Sequence, residues 1–277
     1  MKTVALPGGE RVPALGLGSW RMGESARTRA DEVAAVRRAL DLGLALVDTA
    51  EMYADGGAER VIGEALEGRR EEVFLVSKVY PHNAGRRAAV AACERSLERL
   101  RTDRIDLYLL HWRGTVPLAE TVEAFERLRA GGKIRHWGVS NFDVEDLDEL
   151  WALPHGARCA ANQVYYSASQ RGVEAALVPR QRGRGLPLMA YCPLDEGALA
   201  RHAGLAAIGR RHGASAAQVA IAWLLTRPDV IVIPKASRAE HLQQNRTAAD
   251  LELTPADLAE IDRLLPPPKR RGPIKVV

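Results

Sequence analysis

One repeated unit constrains this chain more than any other feature: a strand-sized apolar run, a short connection, then an amphipathic stretch at helical spacing. Counted from Ala14, it occurs eight times. The apolar runs fall at 14–18, 44–47, 73–77, 105–110, 134–139, 160–164, 187–190 and 230–233. Helical patterns follow at 28–42, 58–66, 86–100, 118–130, 144–150, 173–182, 204–225 and from 239 onward. Short apolar runs fit strands buried on both faces, and strict strand–helix alternation makes neighbouring strands parallel. Eight such units are the number at which a parallel sheet closes on itself with its helices outside. The expected fold class is α/β, a (β/α)8 TIM barrel. Two elements are added to it. Residues 2–6 and 11–15 flank Gly8-Gly9 as an N-terminal β-hairpin, and Thr254-Pro255 caps and starts an extra C-terminal helix. The tail from Pro266 to Pro273 is too proline-rich for helix and is expected to be extended, either across a barrel mouth or free.

The 277 residues suit one barrel, a fold that runs to about 250 residues, so a single domain over 1–277 is expected. No apolar run reaches membrane-spanning length, and Met1-Lys2-Thr3-Val4 opens no signal-like apolar region. A cytoplasmic location without membrane association follows as the expectation. Cys93, Cys159 and Cys192 are odd in number, scattered and without metal spacing, so they are read as reduced bystanders and no metal site is assigned. A net charge of +4 and a pI near 9.1 raise the question of nucleic acid. The arginines are interleaved with acids, as in Glu94-Arg95 and Glu98-Arg99, which reads as a solvated surface, and no nucleic-acid partner is expected.

In such a barrel, chemistry collects where the strands end at their carboxyl side. Following the second to eighth strands, those ends carry Asp48 with Tyr53, Lys78, His111, Ser140-Asn141, Gln163, Tyr191 and Lys235. Taken singly, Lys78 reads as a rim lysine and His111 equally well as a core histidine. Together, Asp48, Tyr53, Lys78 and His111 emerge from adjacent strands and form a set that can move a proton. An ammonium beside a phenol favours the phenolate, so Lys78 is expected to lower the Tyr53 pKa from about 10, with Asp48 holding the ammonium in place.

The chain resembles the aldo-keto reductases over nearly its whole length. The resemblance rests on Gly16-Leu17-Gly18-Ser19-Trp20, Asp48-Thr49-Ala50 with Tyr53, Ser77-Lys78, Leu110-His111, Gly138-Val139-Ser140-Asn141-Phe142, Asn162-Gln163, Tyr191-Cys192-Pro193-Leu194 and Ile233-Pro234-Lys235. The likeness is greatest to bacterial members that reduce small aldehydes such as methylglyoxal. It implies a monomeric NADP(H)-dependent enzyme with Asp48, Tyr53, Lys78 and His111 as catalytic residues. Tyr53 would protonate a carbonyl as hydride arrives at carbon, and His111 would orient the substrate. Ser140, Asn141 and Gln163 would bond the nicotinamide carboxamide, Tyr191 would stack on the ring, and the backbone around Cys192 and Leu194 would face the pyrophosphate. Gly18, Ser19, Trp20 and Asp48 would complete the cofactor wall. Lys235, Ala236, Ser237, Arg238, His241, Gln244 and Asn245 would receive the adenosine end, with Lys235, Ser237 and Arg238 suited to a 2′-phosphate, so that NADPH is preferred over NADH. The family often carries arginine at the place of His241 and glutamate at that of Gln244, and a serine is commoner than Cys192. Trp20, Tyr80, His111 and Trp112 are the expected substrate pocket. Two other readings of the residues stand beside this one: an aldolase-type barrel with Lys78 as Schiff-base nucleophile, and a non-catalytic NADP-binding subunit.

Overall fold

The computed structural model describes residues 1–268, 270–272 and 274–276. Strands β1 (Thr3–Ala5) and β2 (Arg11–Pro13) pair antiparallel as the N-terminal hairpin. The next eight strands form one parallel sheet in sequence order: β3 (Leu17–Gly18), β4 (Leu46–Asp48), β5 (Phe74–Val79), β6 (Ile105–Leu110), β7 (Ile134–Ser140), β8 (Asn162–Tyr165), β9 (Leu188–Tyr191) and β10 (Val230–Val232). The sheet curls until its two edges meet. Leu15 stands opposite Val232 and Gly18 opposite Lys235, while Gly16 N–H donates to Val232 O at 2.9 Å and Gly18 N–H to Pro234 O at 3.1 Å. Meeting edges satisfy backbone groups that an open sheet would expose. The hairpin closes the amino-terminal end, where Glu10 in its turn pairs with Arg135 and His136 on β7, both at 2.7 Å.

Helices α1 (Arg29–Asp41), α2 (Gly57–Ala65), α3 (Ala88–Leu100), α4 (Leu118–Ala130), α5 (Val144–Ala152), α6 (Leu177–Arg182), α7 (Ala203–Arg211), α8 (Ala216–Leu225), α9 (Ala239–Thr247) and α10 (Pro255–Leu264) surround the sheet. The single helical region expected over 204–225 is two helices. Gly213 adopts φ +64°, and Ser215 opens α8 with a capping box to Gln218, so the chain stops and restarts there. Likewise, the pattern at 173–182 divides into a 3-10 turn, Gly172–Ala175, and the short α6. As expected, Thr254 caps α10, receiving a hydrogen bond from Asp257 N–H with Pro255 in the first turn.

Strands β4, β5, β7, β8 and β9 run further than the apolar pattern indicated, whereas β3 and β10 are shorter than the runs at 14–18 and 230–233. Asp48, Lys78, Ser140 and Tyr191 lie within their strands, paired opposite Val76, Leu109, Gln163 and Tyr165 respectively, as does Gln163, already inside the run at 160–164 and opposite Met189. Polar side chains interrupt the apolar run while the backbone ladder continues past them. These groups are therefore held by sheet hydrogen bonds, a stiffer support than a loop.

Lys269 and Pro273 of the proline-rich tail lie outside the described residues. Arg271 pairs with Asp143, at 3.2 Å, and with Glu145, and Lys275 Nζ stands 3.4 Å from Asp195 Oδ1 and 4.6 Å from the Tyr165 ring centre. Asp143 and Asp195 follow β7 and β9, so Arg271 and Lys275 of the tail lie at the carboxyl-terminal mouth. Among the described residues no helix is long and apolar enough to cross a membrane.

Candidate active site

At the carboxyl ends of β4 and β5 the sheet register brings three of the expected residues into contact. Lys78 Nζ donates to Asp48 Oδ2 at 2.7 Å, to Thr49 O at 2.9 Å and to Tyr53 Oη at 3.2 Å. Lys78 is fully buried and Asp48 nearly so, which makes this an ion pair inside the barrel. Such a pair is maintained by good geometry and by its extra hydrogen bonds, since desolvation opposes both charges. Tyr53 N–H bonds back to Ala50 O at 3.1 Å, the tight turn that returns the phenol toward the lysine. His111 follows β6 directly, and its own N–H donates to Val79 O at 3.1 Å. Its ring lies edge-on to Tyr53 at 5.8 Å.

The electrostatics correct one expectation. Burial pushes the Tyr53 hydroxyl up, and the Lys78 ammonium offsets this only in part, with Asp48 adding to the rise, so its pKa is raised above the ordinary 10.0. A buried phenol loses more by giving up water around its anion than one shared ammonium returns. Burial also pulls Lys78 down, but Asp48 and Tyr53 together outweigh it and leave the ammonium favoured. Burial, with Lys78 adding to it, holds His111 well below 6.5, so its imidazole is neutral. The arrangement at neutral pH is thus a protonated phenol, an ammonium and a neutral imidazole.

The residues assigned to the nicotinamide end are together, but bonded to one another. Gln163 Nε2 donates to Asp48 Oδ1 at 2.7 Å, so this side chain extends the Asp48–Lys78 pair across the barrel. Ser140 Oγ donates to Gln163 O at 2.8 Å. Asn141 Nδ2 donates to His111 O at 3.0 Å, and its Oδ1 accepts from Tyr191 Oη at 2.8 Å. Asn141 and Cys192 both take left-handed backbone, φ +60° and +48°, where their strands turn out of the sheet. Leu194 packs partly buried against the core. Ser19 Oγ, Thr49 Oγ1 and His111 Nδ1 are buried at this mouth without a hydrogen-bond partner among the described residues. Unpaired buried polar atoms around such a network fit a polar group seated among them.

Gly18 packs so tightly that a Cβ on it would stand 2.9 Å from Ile233 O, and Lys235, first of the residues assigned to the adenosine end, stands opposite it. Lys235 Nζ donates to Ser237 Oγ at 3.2 Å, both exposed, whereas Ala236 and Asn245 are buried. His241 is exposed one turn into α9. Sequence reasoning passed over Glu240 in that first turn: it pairs with Arg238 at 3.3 Å and accepts from Gln244 Nε2 at 3.3 Å.

Of the expected pocket aromatics, Tyr80 and Trp112 meet edge-on at 5.1 Å, and Trp112 stands 4.9 Å from His111. Trp20 comes two residues after β3. It is 36% exposed, with the Arg21 guanidinium 4.5 Å over its face. Sequence reasoning also missed the charged groups behind the site. Glu51 and Glu59 are buried carboxylates. Glu59 accepts from Ser77 Oγ and from Arg99 Nε, each at 2.6 Å, and Arg99 Nη2 reaches within 4.0 Å of Glu51. Glu51 sits between Asp48 and Tyr53 in the chain, which is the one signal that pointed to it.

Residues 14–266 match the Aldo/keto reductase family. The chain is 50% identical to methylglyoxal reductase YeaE of Escherichia coli (strain K12), covering all of this chain and 99% of that protein. It is 36% identical to a glyoxal reductase of Bacillus subtilis (strain 168), over 95% of this chain and 92% of that one. A crystal structure of an aldo/keto reductase from Klebsiella pneumoniae in complex with NADP and acetate superposes with a TM-score of 0.97 at 50% identity, covering 100% of this chain and 99% of that one.

Proposed function

The chain belongs to the aldo/keto reductase family and is an NADP(H)-dependent oxidoreductase of carbonyl compounds; from that premise we propose that it reduces small aldehydes and ketoaldehydes of the methylglyoxal type to alcohols, with Tyr53 as proton donor. The observation that carries the assignment is the contact of Tyr53 Oη with the buried Lys78 ammonium at 3.2 Å. NADPH, when bound, supplies the hydride that the carbonyl carbon accepts. Tyr53, protonated at neutral pH, gives its proton to the carbonyl oxygen as negative charge gathers there. The ammonium of Lys78 stabilises the phenolate as it forms, and Asp48, fixed by Gln163, keeps the ammonium aimed at the hydroxyl. Neutral His111 is placed beside Tyr53 to donate a hydrogen bond to the same oxygen and orient it. In this reading Ser140, Asn141, Gln163 and Tyr191 hold the nicotinamide end. Gly18, Ser19, Trp20, Cys192 and Leu194 line the middle, and Lys235, Ala236, Ser237, Arg238, His241, Gln244 and Asn245 receive the adenosine phosphate, giving NADPH preference over NADH. Trp20, Tyr80 and Trp112 wall the substrate side.

The Schiff-base alternative fits less well. A nucleophilic lysine needs a depressed pKa, whereas Asp48 and Tyr53 together keep Lys78 an ammonium. A monomer in a reducing, cytoplasmic setting belongs to the same proposal, the reducing setting being in keeping with three cysteines that are all free. Sedimentation at the 30.2 kDa protomer mass would be the expected result.

The decisive experiment replaces Tyr53 with phenylalanine. Methylglyoxal reduction should fall by about 10²–10⁴-fold while NADPH affinity, read by fluorescence quenching, stays nearly constant. An unchanged kcat in Tyr53→Phe would overturn the assignment.

A further inference from the structure

We propose that Glu51 is a positioning residue that fixes the distance between the Tyr53 hydroxyl and the Tyr80–Trp112 wall, and thereby selects carbonyl substrates by size. The inference rests on the functional reading above and adds a determinant of specificity to it. Glu51 lies three residues after Asp48 and two before Tyr53, and is 9% exposed. Its backbone N–H donates to Lys78 O at 3.3 Å. Its side-chain Oε1 accepts from Tyr80 N–H at 2.7 Å and from Asn83 Nδ2 at 3.1 Å. Strand β5 ends at Val79, so the carboxylate supplies an acceptor to Tyr80 just where the ladder stops. One loop carries the acid and the next carries the first aromatic wall. Glu51 ties them to each other by both backbone and side chain.

The tie closes a circuit. From Tyr53 the contacts run to His111 at 5.8 Å, from His111 to Trp112 at 4.9 Å and from Trp112 to Tyr80 at 5.1 Å. They return from Tyr80 N–H to Glu51, which the chain joins to Tyr53. On the functional reading above, a carbonyl reaching the acid lies within that circuit. Three of its links are ring contacts that tilt and slide at small cost, whereas the Glu51 link is a short, part-buried hydrogen bond to a carboxylate. Its length therefore sets the perimeter. Arg99, 4.0 Å from Glu51 and held by Glu59, keeps a positive charge beside this carboxylate from outside the barrel. Removing Glu51 leaves Tyr80 N–H and the Asn83 amide to find water, and Tyr80 is then free to swing from Trp112.

The test compares Glu51→Ala, Glu51→Gln and the unaltered enzyme on methylglyoxal and on benzaldehyde, with NADPH affinity and the melting temperature measured in parallel. In Glu51→Ala the KM for methylglyoxal should rise about tenfold, the benzaldehyde-to-methylglyoxal ratio of kcat/KM should rise by a similar factor, and NADPH affinity should not move. Glu51→Gln retains an acceptor oxygen and should return the ratio most of the way. A ratio within twofold of the unaltered enzyme in Glu51→Ala overturns the inference, whatever the melting temperature does, because a merely structural carboxylate would lower stability without changing which aldehyde is preferred. A ratio that moves in Glu51→Ala but is not restored by Glu51→Gln also overturns it. Should Glu51→Ala not fold, the half-buried Asn83→Ala breaks one arm of the same clamp; it should move the ratio in the same direction by a smaller factor, and no movement there counts against the inference. Unaltered enzyme inactive on both aldehydes would overturn the functional reading and this inference together, whereas an active enzyme with an unmoved ratio overturns only the role of Glu51.

Discussion

A single buried lysine bears on the charge of both rings that face it, Tyr53 and His111. Lys78 is buried with one full carboxylate partner, and it stabilises any negative charge that forms on Tyr53 while opposing positive charge on His111. The same burial that makes the phenol reluctant to ionise keeps it protonated at neutral pH, the state a proton donor must start from. For His111 the consequence is a stability slope. Its folded pKa lies well below 6.5, so above that value neither the folded nor the unfolded chain carries the proton and nothing is lost. Below it the unfolded chain binds a proton that the folded one refuses, and stability falls as pH drops toward the folded value. Urea unfolding between pH 7 and pH 5 should show this loss approaching about 1.4 kcal/mol per pH unit at most, and His111→Asn should flatten that part of the slope. An identical slope in His111→Asn would place the titration elsewhere. Asp48, Tyr53, Lys78 and His111 were legible in the sequence because each lies at or beside a strand terminus. The sign of the Tyr53 shift was not, because it depends on how much water burial removes.

At the scale of the element, the barrel is closed by two short strands, β3 and β10, which the sequence reads as longer runs at 14–18 and 230–233. Strand β3 is two residues long, and closure depends on Gly16 and Gly18 lying against neighbouring backbone. A Cβ built on Gly16 would stand 2.6 Å from both the carbonyl oxygen and a methyl of Leu46. Gly16→Ala should therefore destabilise by about 1–3 kcal/mol, seen as a lower urea midpoint with unchanged slope. An unaltered midpoint would mean that β3 and β4 can part without cost. The expected helix over 204–225 teaches the opposite lesson. Its apolar spacing is continuous enough to suggest one element, yet Gly213 and the Ser215–Gln218 capping box divide it, so local backbone chemistry outweighs periodicity there. The carboxyl ends of β4, β5, β7 and β9 extend past the apolar pattern for the reverse reason: ladder hydrogen bonds do not require apolar side chains once both neighbours are in place.

For the molecule as a whole, a sheet closed through Leu15–Val232 and Gly18–Lys235 gives each strand two neighbours, so losing one strand opens two edges. Residues 1–277 should accordingly melt as one unit, with calorimetric and van't Hoff enthalpies in agreement; two resolved transitions would contradict a single domain. The repeated unit determined this architecture from the sequence alone, because strand and helix periods are local properties that the amino-acid order writes directly. The same order placed Asp48, Tyr53, Lys78 and His111 together, since a strand terminus fixes which side chains reach the mouth. Only the tertiary structure decided which groups touch. Gln163 meets Asp48 across 115 residues of chain, Tyr80 receives its clamp from Glu51 29 residues earlier, and the tail reaches back to Asp143 from 128 residues beyond it. No local pattern encodes such pairs, because they arise from the radius and register at which the barrel closes.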